Sequence, residues 1–580
     1  MTQRLVFLFT CWLGGVSAIV SAQQATDQIS PESGTINHKN TSVTAKDFIA
    51  VTANPLATQA AYEILKKGGH AIDAMVTAQT VLGLVEPQSS GLGGGAFLVY
   101  YDANTKHTTT YDGRETAPLN APADLFMAND QTPLAFFDAV VGGRSVGTPG
   151  TVKLLWNTHQ KYGNLDWKAL LKPAASHAMQ GFKVSPRLAN AIKNDQNRLK
   201  TDSTTANYFF PNDQALKAGQ ILKNQAYAET LRQLSEKGGD YFYSATFSDS
   251  ISQKVQQASN PGYLSQKDFA QYKIIERKPV CTTYREYRLC GMGPPSSGAI
   301  TINQTLGMLE HLNMGKMAPN KAHTWHIIAE ASRLAFADRG LYIADPDFVS
   351  VPSAILSKAY LKQRASLINH HASSKIIKAG LPPSIAASHY KQGRSPEQDS
   401  TSHLIMVDRE GNIVSMTSTI ENGFGSRLMV NGFLLNNELT DFSFSPTKHN
   451  KLIANRVEPS KRPRSSMAPT IVFKEDLPYL VIGSPGGSRI INYVTNSLIA
   501  ILDWQYPIQS AIDMPHIVNR FGTMDVEKNS NANTLLNDFE QLGYKTSERD
   551  LNSGLHAVML TNDQLIGAAD KRREGTVLGD

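Results

Sequence analysis

Apolar residues recur every three or four positions in several stretches of the first 400 residues, the period of a helix with one buried face. This pattern predicts helices over 56–67, 71–84, 167–179, 188–192, 226–236 and 323–338. The first of them follows Asn54-Pro55 and ends at Gly68-Gly69, which are typical helix start and stop signals. A continuous apolar run predicts a strand over 96–101. We therefore expect residues 150–400 to be mostly helical.

The periodicity changes after residue 400. Residues 384–400 are polar, with Gln, Gly, Pro and Ser, and are typical of an exposed connector. Strand-like runs follow at 402–407 and 413–420 with a turn between them, which predicts a hairpin. Further strands are predicted at 432–435, 470–473 and 479–482, and a helix at 488–501.

Composition narrows the protein class. Of the 580 residues, 41% are hydrophobic and 18% are charged, which indicates a globular chain and argues against a multi-span membrane protein, a disordered tail or a charged coiled coil. The net charge of +6 is small for this length, and no long Lys/Arg run is present. We therefore expect no nucleic-acid partner.

The N-terminus has the features of a secretory signal. Arg4 precedes an apolar run over 5–20, which ends at the small residues Val20-Ser21-Ala22. The alternative is a retained membrane anchor, although the run is shorter than the ~20 residues that cross a bilayer core. We expect a signal peptide over 1–22, and a mature protein that is periplasmic or secreted and has no membrane span.

Two cysteines remain after removal of such a signal, Cys281 and Cys290. If Arg285-Glu286 forms a two-residue turn, these cysteines lie opposite each other in a hairpin, close enough for a disulfide. Arg-Glu is a poor turn of this kind, so two buried thiols remain the alternative.

Two glycine-rich segments, 91–95 and 483–488, do not fit a nucleotide-binding motif, because one precedes a strand and neither has a P-loop lysine. Gly486-Gly487 could instead present backbone N–H groups at a helix start, where they would hold an oxyanion; the alternative is a tight turn. No His-x-x-x-His, Cys-x-x-Cys or calcium-loop pattern is present, so we expect no metal and no cofactor.

Thr401 lies where the polar connector meets the first strand of the hairpin. A backbone cut between Ser400 and Thr401 would create a threonine with a hydroxyl nucleophile and a free amine, whose pKa of ~7.7 to 8.0 suits a general base. An ordinary strand beginning is the alternative for an isolated Ser-Thr-Ser.

The motifs taken together, in this order, resemble the γ-glutamyltranspeptidase (glutathione hydrolase) family of N-terminal nucleophile hydrolases. The segments that carry the resemblance are 54–57, 68–74, 86–95, 112–118, 147–150, 294–298, 335–339, 400–403, 435–438, 441–442, 462–467 and 483–490.

The resemblance implies an α+β fold, a four-layer αββα sandwich built from both halves of a self-cleaved precursor. Cleavage between Ser400 and Thr401 would give a large subunit, 23–400, and a small subunit, 401–580. Thr401 would form a γ-glutamyl acyl-enzyme, with Thr419 beside its hydroxyl. The implied partners are glutathione and other γ-glutamyl donors, with water, amino acids or dipeptides as acceptors.

The resemblance also implies how the γ-glutamyl group is held. Arg114, with Ser465 and Ser466, matches the residues that bind the α-carboxylate, and a guanidinium can grip a carboxylate at two points. Glu438 and Asp441 match those that bind the α-ammonium. For a lone charged side chain, a solvated surface position is the alternative.

Gly486 and Gly487 match the donors to the oxyanion. Glu421 stands where many members have asparagine, which adds a carboxylate near the α-ammonium. No Tyr or Trp occurs between Asp441 and Lys461, where members with a lid over the pocket often have one. We therefore expect the lid to be missing or ineffective, and poly-γ-glutamate to be a possible donor.

Three other functions remain open. A glutaryl cephalosporin acylase and a poly-γ-glutamate transpeptidase belong to the same family. A glutaryl donor lacks the α-ammonium, so Glu438 and Asp441 favour a glutamyl donor. A periplasmic protein that binds γ-glutamyl peptides without turnover is the alternative of a different class, and it would leave Thr401 unexplained.

Overall fold

The computed structural model describes residues 40–383, 389–393, 395 and 400–580. The predicted signal peptide and most of the predicted connector lie outside these ranges. Within them, no helix is both long enough and apolar enough to cross a membrane.

The helices are α1 Pro55–Lys66, α2 Ala71–Val85, α3 Phe136–Val140, α4 Thr151–Tyr162, α5 Trp167–Gln180, α6 Pro186–Asn194, α7 Gln196–Leu199, α8 Ser203–Phe209, α9 Gln225–Lys237, α10 Ala245–Gln256, α11 Gln266–Gln271, α12 Gly298–Leu309, α13 Ala322–Tyr342, α14 Lys358–Ala365, α15 Ile490–Leu502, α16 Ile508–Asp513 and α17 Leu536–Gln541. The strands are β1 Val43–Ala45, β2 Ile49–Thr52, β3 Gly95–Asp102, β4 His107–Gly113, β5 Phe182–Lys183, β6 Ile221–Leu222, β7 Ile275–Arg277, β8 Val280–Tyr284, β9 Tyr287–Gly291, β10 Thr401–Val407, β11 Ile413–Thr419, β12 Met429–Val430, β13 Phe433–Leu434, β14 Thr447–Lys448, β15 Lys451–Leu452, β16 Thr470–Lys474, β17 Leu477–Gly483, β18 Ile517–Val518, β19 Thr523–Glu527, β20 Lys545–Arg549, β21 His556–Leu560, β22 Leu565–Ala569 and β23 Thr576–Gly579.

Two seven-stranded antiparallel sheets form the centre of the molecule. Sheet I has the strand order β1-β22-β21-β17-β16-β9-β8, and sheet II has the order β23-β2-β10-β11-β3-β4-β7. In sheet II, β10 lies between β2 and β11, and β11 pairs in turn with β3. Each sheet therefore combines strands from before and after residue 400.

The two sheets pack face to face, with helices on both outer surfaces. One buried cluster joins the inner faces of both sheets to α12, α13 and α15, and it includes Val51, Ile405 and Val481. A second cluster packs the outer face of sheet II, including Leu98 and Met406, against α1, α2, α4 and α5. Alternate residues of β10 thus enter opposite clusters, as the two-residue period of a strand requires. The predicted four-layer αββα fold is confirmed.

The predicted hairpin after residue 400 is confirmed in detail, because β10 and β11 pair from Thr401 opposite Thr419 to Val407 opposite Ile413. The other predicted helices and strands coincide with observed elements, and their bounds differ from the observed ones by at most a few residues. Residues 150–400 are less uniformly helical than predicted, since β7, β8 and β9 extend the edges of both sheets. Their short runs of mixed polarity give a weak periodic signal, and sheet pairing fixes them as strands.

The hairpin of β8 and β9 has the predicted register, with Cys281 opposite Cys290 and a turn at Arg285-Glu286. Arg285 has a φ of +55°, so it takes the left-handed conformation that the tight turn needs. The structure contains a disulfide between the two cysteines, whose Cα atoms are 4.1 Å apart. It joins the edge strand β8 to its neighbour.

Candidate active site

Thr401 is the first residue of β10, and Thr419, the last residue of β11, lies directly opposite. Both are almost completely buried, and their hydroxyl oxygens are 3.4 Å apart. The antiparallel pairing thus brings the predicted nucleophile and its predicted partner together at one end of sheet II.

The peptide bond before Thr401 is held firmly. The Thr419 hydroxyl donates to the Ser400 carbonyl oxygen at 2.7 Å, and the Glu421 backbone N–H donates to the Thr419 hydroxyl at 2.8 Å. On the far side of the bond, the Arg573 guanidinium donates to the Thr401 carbonyl oxygen at 3.1 Å. The Thr419 hydroxyl is therefore placed to polarise the Ser400 carbonyl, which belongs to the peptide bond predicted to be cut.

Ser400 itself is completely buried, and its hydroxyl donates to the Gln88 carbonyl oxygen at 2.5 Å. Gln88 lies in the segment between α2 and β3, which belongs to the 86–95 motif. That motif therefore contributes to the surroundings of the Ser400–Thr401 bond.

Arg114 follows β4 and is 1% exposed. Its Nε donates to the Pro463 carbonyl oxygen at 3.2 Å, and its Nη2 donates to the Arg464 carbonyl oxygen at 3.1 Å. The same guanidinium donates to Glu438 through Nη1 and to Asp441 through Nη2. Arg114 is therefore fixed by backbone carbonyls and faces two carboxylates.

Glu438 and Asp441 lie on one short 3-10 turn, Glu438–Asp441, which begins after Asn437. Burial raises the pKa of Glu438 well above its usual range, and the attraction of Arg114 does not fully offset this rise. The pKa of Arg114 is also raised, because Glu438 and Asp441 together outweigh the lowering that burial alone would cause. The cation is therefore firmly held in its charged form.

Ser465 and Ser466 line the same pocket from the 462–467 motif. The Ser465 backbone is fixed from both sides, since its N–H donates to the Pro295 carbonyl oxygen at 3.0 Å and its own carbonyl oxygen accepts from Ser297. The Ser466 hydroxyl accepts from Arg339 at 2.7 Å. The 294–298 and 335–339 motifs thus support this part of the pocket.

Gly486 and Gly487 connect β17 to α15 through the short 3-10 turn Gly487–Arg489. Both have a positive φ, +130° and +55°, a conformation that strongly favours glycine. Gly487 lines the pocket, whereas Gly486 is not among its lining residues. Gly486 instead packs against the Tyr493 ring, which a Cβ atom at this position would approach to 2.6 Å.

One narrow pocket brings most of the predicted site residues together. It has about 20 Å³ of space for a water-sized sphere. Its lining residues are Arg114, Thr401, Thr419, Glu421, Glu438, Asp441, Ser465, Ser466, Met467, Gly487 and Ile490. A larger groove of about 790 Å³ opens beside Arg573 and Glu574, and neither Thr401 nor Arg114 lines it.

Glu421 enters the pocket from the turn after β11. It has a φ of +77°, which is unusual for a residue with a side chain, and its carboxylate accepts a hydrogen bond from the Asn437 side-chain amide. Asn437 therefore sets the position of this extra carboxylate.

The segment between Asp441 and Lys461, where a lid was predicted to be missing or ineffective, contains the short exposed hairpin of β14 and β15. None of its residues lines the pocket. The expectation about the lid's effect on donors stays a prediction.

Sequence reasoning assigned no role to several neighbours of the site. Glu115, Gln88 and Asn437 lie inside the motifs used for the family resemblance, so their position in the sequence could have suggested them. Met467 and Ile490, which supply apolar lining, also lie inside such motifs, 462–467 and 483–490. Arg573 reaches the site from near the chain end, outside the motifs that carry the resemblance. In the parts of the chain that the structure describes, no group of three or more His, Cys, Asp or Glu side chains could hold a metal ion.

The chain is similar to known proteins over most of its length. The family model "Gamma-glutamyltranspeptidase" matches residues 57–580. The glutathione hydrolase proenzyme of Bacillus subtilis (strain 168) is 37% identical over 92% of each chain, and that of Escherichia coli (strain K12) is 35% identical over 91% of each chain. The crystal structure of a cephalosporin acylase from Bacillus halodurans has a TM-score of 0.83 and 26% identity, and the match covers 95% of this chain and 99% of that one. The chain belongs to the γ-glutamyltranspeptidase family.

Proposed function

We propose that this protein is a self-processing γ-glutamyl hydrolase and transferase that acts on glutathione and related γ-glutamyl compounds. The observation that carries the proposal is the pocket itself. The Thr401 hydroxyl lines the same narrow space as a buried guanidinium and the carboxylates of Glu438 and Asp441. A γ-glutamyl group carries one α-carboxylate and one α-ammonium, which are the complements of these charges.

The first step is maturation of the precursor. The Thr401 hydroxyl oxygen adds to the Ser400 carbonyl carbon while the Thr419 hydroxyl supports the carbonyl oxygen. The amide C–N bond breaks, the Thr401 nitrogen takes a proton, and water then hydrolyses the resulting ester. The products are a large subunit that ends at Ser400 and a small subunit that begins with a free α-amine at Thr401.

Donor recognition requires an exchange of ion pairs. In the structure Arg114 bonds to Glu438 and Asp441, so its guanidinium is already paired, and the pocket is narrow. The α-carboxylate of the γ-glutamyl substrate replaces these two carboxylates on the guanidinium. Ser465 and Ser466 donate further hydrogen bonds to it. The α-ammonium of the substrate then pairs with the released carboxylates of Glu438 and Asp441. Because both charges of the donor are needed for this exchange, a compound that lacks one of them leaves a buried charge unpaired.

Acyl transfer then follows from the position of Thr401. Its hydroxyl oxygen attacks the γ-carbonyl carbon, and its own α-amine accepts the hydroxyl proton and passes it to the leaving amine. The backbone N–H groups of Gly486 and Gly487 support the oxyanion that forms. Water, an amino acid or a dipeptide then takes the γ-glutamyl group from Thr401, and the reaction needs no cofactor.

Cephalosporin acylase activity is the second candidate, because the Bacillus halodurans structure with that name shares the fold over most of the chain. A glutaryl donor has no α-ammonium, so it would leave Glu438 and Asp441 without a cationic partner. This mismatch favours a γ-glutamyl donor. Poly-γ-glutamate fits the same subsite through its terminal γ-glutamyl residue, and the exposed β14–β15 hairpin leaves the pocket lining free of lid residues.

The sequence at residues 1–22 further supports export, so we place the mature enzyme in the periplasm or outside the cell. The similar Escherichia coli and Bacillus subtilis proteins are glutathione hydrolase proenzymes of bacteria. The large and small subunits of one precursor are its expected partners.

The experiment compares two chromogenic donors, γ-glutamyl-p-nitroanilide and glutaryl-p-nitroanilide, which differ by the α-ammonium. We expect the mature enzyme to prefer the γ-glutamyl donor in kcat/KM by at least about tenfold, which corresponds to about 1.4 kcal/mol. Asp441→Asn should reduce this preference, because it removes one of the carboxylates that pair with the ammonium. Equal use of both donors, or a preference for the glutaryl donor, would reject the proposal. Binding of both donors without turnover would indicate a binding protein.

A further inference from the structure

A chain of buried contacts leads into the protein interior from the turn that carries Gly486 and Gly487, here called the oxyanion turn. A Cβ atom at Gly486 would fall 2.6 Å from the Tyr493 ring, so this ring lies directly against the glycine backbone. The His516 ring packs on the Tyr493 ring, with their centroids 4.3 Å apart. Tyr493 and His516 are 1% and 2% exposed. Gly486 is therefore backed by two packed rings.

Polar groups anchor the His516 ring. Its Nε2 atom is 2.7 Å from the Ser553 hydroxyl oxygen. That hydroxyl donates in turn to Oδ2 of Asp570. The backbone N–H groups of Gly554 and Leu555 donate to the same carboxylate oxygen, at 2.9 and 3.1 Å. Three donors therefore fix the carboxylate on which this chain of hydrogen bonds ends.

The directions of these hydrogen bonds follow from the number of protons available. Burial alone would raise the pKa of Asp570, but Arg572 and the hydrogen bonds to the carboxylate lower it below its usual range. Asp570 is therefore ionised and only accepts, so the one hydroxyl proton of Ser553 is used on it. Burial lowers the pKa of His516 well below its usual range, so the ring is neutral. Its single N–H must then be on Nε2, where it donates to Ser553.

The backbone of His516 is fixed as well. Its N–H donates to the Glu527 carboxylate at 2.8 Å, and its carbonyl oxygen accepts from the Glu527 N–H at 2.9 Å. The ring thus has one hydrogen bond that sets its orientation and two backbone bonds that set its location. A residue that only filled space here could be apolar, because burying an imidazole costs more than burying a hydrocarbon ring. The polar anchor therefore indicates that the orientation of this ring matters.

We infer that His516 is a positioning residue, whose ring holds Tyr493 against Gly486 and so fixes the backbone donors of the oxyanion turn. This inference rests on the proposed function for the role of that turn. His516 acts through Tyr493, since neither side chain lines the pocket. Tyr493, His516, Ser553 and Asp570 come from separate segments of the chain, so tertiary packing alone brings them together.

The inference has a consequence for the kinetics. Loss of the His516 ring would leave a cavity beside Tyr493, which could then turn away from Gly486. A misplacement of about 1 Å caused far from the reacting atoms can slow a reaction about 100-fold. Donor binding depends instead on Arg114 and its carboxylates, which share no hydrogen bond with His516 among the described residues. We therefore expect kcat to fall and KM to stay within about twofold of wild type.

The test compares His516→Ala with His516→Phe, with γ-glutamyl-p-nitroanilide as the donor. Rates are expressed per cleaved site, counted from the two chains that separate under denaturing conditions. We expect His516→Ala to lower kcat about 10- to 100-fold, and His516→Phe, which keeps a flat ring against Tyr493, to recover most of this loss. His326→Ala is the matched control, because the His326 ring is also buried, packs on Tyr544 and bonds to its hydroxyl. This control should be less stable but keep the wild-type kcat per cleaved site.

A second measurement follows the turn without using the reaction. The amide N–H resonance of Gly486, recorded by NMR in protein with isotope-labelled glycine and assigned with Gly486→Ala, reports the surroundings of the oxyanion donor. We expect it to shift in His516→Ala and in the milder Ser553→Ala, and to stay unchanged in His326→Ala. The Ser553 variant decides if His516→Ala fails to mature.

The inference is overturned if His516→Ala keeps the wild-type kcat per cleaved site, if its KM rises as much as its kcat falls, or if His516→Phe is as impaired as His516→Ala. An unchanged Gly486 resonance in both His516→Ala and Ser553→Ala would also refute it. If wild type does not cleave the donor at all, the proposed function fails while the Gly486 resonance still tests the positioning.

Discussion

Arg114 is the side chain to which we assign the α-carboxylate of the donor. Its guanidinium is fixed by the carbonyl oxygens of Pro463 and Arg464, and its two outer nitrogens point at Glu438 and Asp441. The planar fork of arginine makes this two-point geometry possible, and a lysine ammonium cannot reproduce it. If Arg114 binds the donor's α-carboxylate, the position and shape of its guanidinium matter in addition to its charge.

We expect Arg114→Lys to lower kcat/KM for γ-glutamyl-p-nitroanilide by about 30-fold, equivalent to about 2 kcal/mol, because the lysine ammonium keeps the charge but loses the two-point hydrogen bonding to the donor's α-carboxylate. Steady-state kinetics of the purified variant measures this. The variant should still cleave itself, since Arg114 does not contact Ser400 or Thr401 through any of its described hydrogen bonds. Arg232→Lys on the exposed face of α9 is the matched control. An unchanged kcat/KM in Arg114→Lys would remove Arg114 from donor binding.

The turn between β17 and α15 shows how an element places backbone donors. Gly486 and Gly487 take positive φ values, and the turn then continues directly into α15, whose start lines the pocket at Ile490. A side chain on Gly486 would collide with Tyr493 of the same helix. The packing of this turn on α15 therefore sets where its backbone N–H groups lie.

Gly486→Ala should reduce kcat about 100- to 1000-fold, the usual effect of losing one oxyanion donor, because the new methyl group shifts the turn. Gly68→Ala is the control, since Gly68 also has a positive φ, +81°, but a Cβ atom there meets nothing within 4 Å. Pre-steady-state kinetics of acyl-enzyme formation distinguishes the two variants. If both variants acylate at the wild-type rate, the turn does not support the oxyanion.

Elements with strong local patterns could be predicted from the sequence, and pairings between distant residues could not. The β10–β11 hairpin was predicted to within a residue at each end, because its strands and turn are contiguous. The order of strands in each sheet depends on contacts between residues hundreds of positions apart. The contact of Arg573 with the Thr401 carbonyl oxygen has the same origin, since the two residues lie 172 positions apart.

The whole molecule is built so that the two halves of the precursor cannot form separate cores. In sheet II, β10 of the second half pairs with β2 of the first half, and β11 pairs with β3. In sheet I, β16 pairs with β9 in the same way. Cleavage before Thr401 would leave all of these hydrogen bonds and the buried clusters around them intact. The two subunits should therefore remain associated without a covalent link.

The most direct test of this account is the intact mass of the purified protein, measured first under native and then under denaturing conditions. The account predicts one native species that separates on denaturation into two chains, the smaller of which begins at Thr401. Thr401→Ala should remain a single chain of full length, since it has no hydroxyl to attack the Ser400 carbonyl carbon. A wild-type protein that stays uncut after prolonged incubation would contradict the assignment of Thr401 as an N-terminal nucleophile.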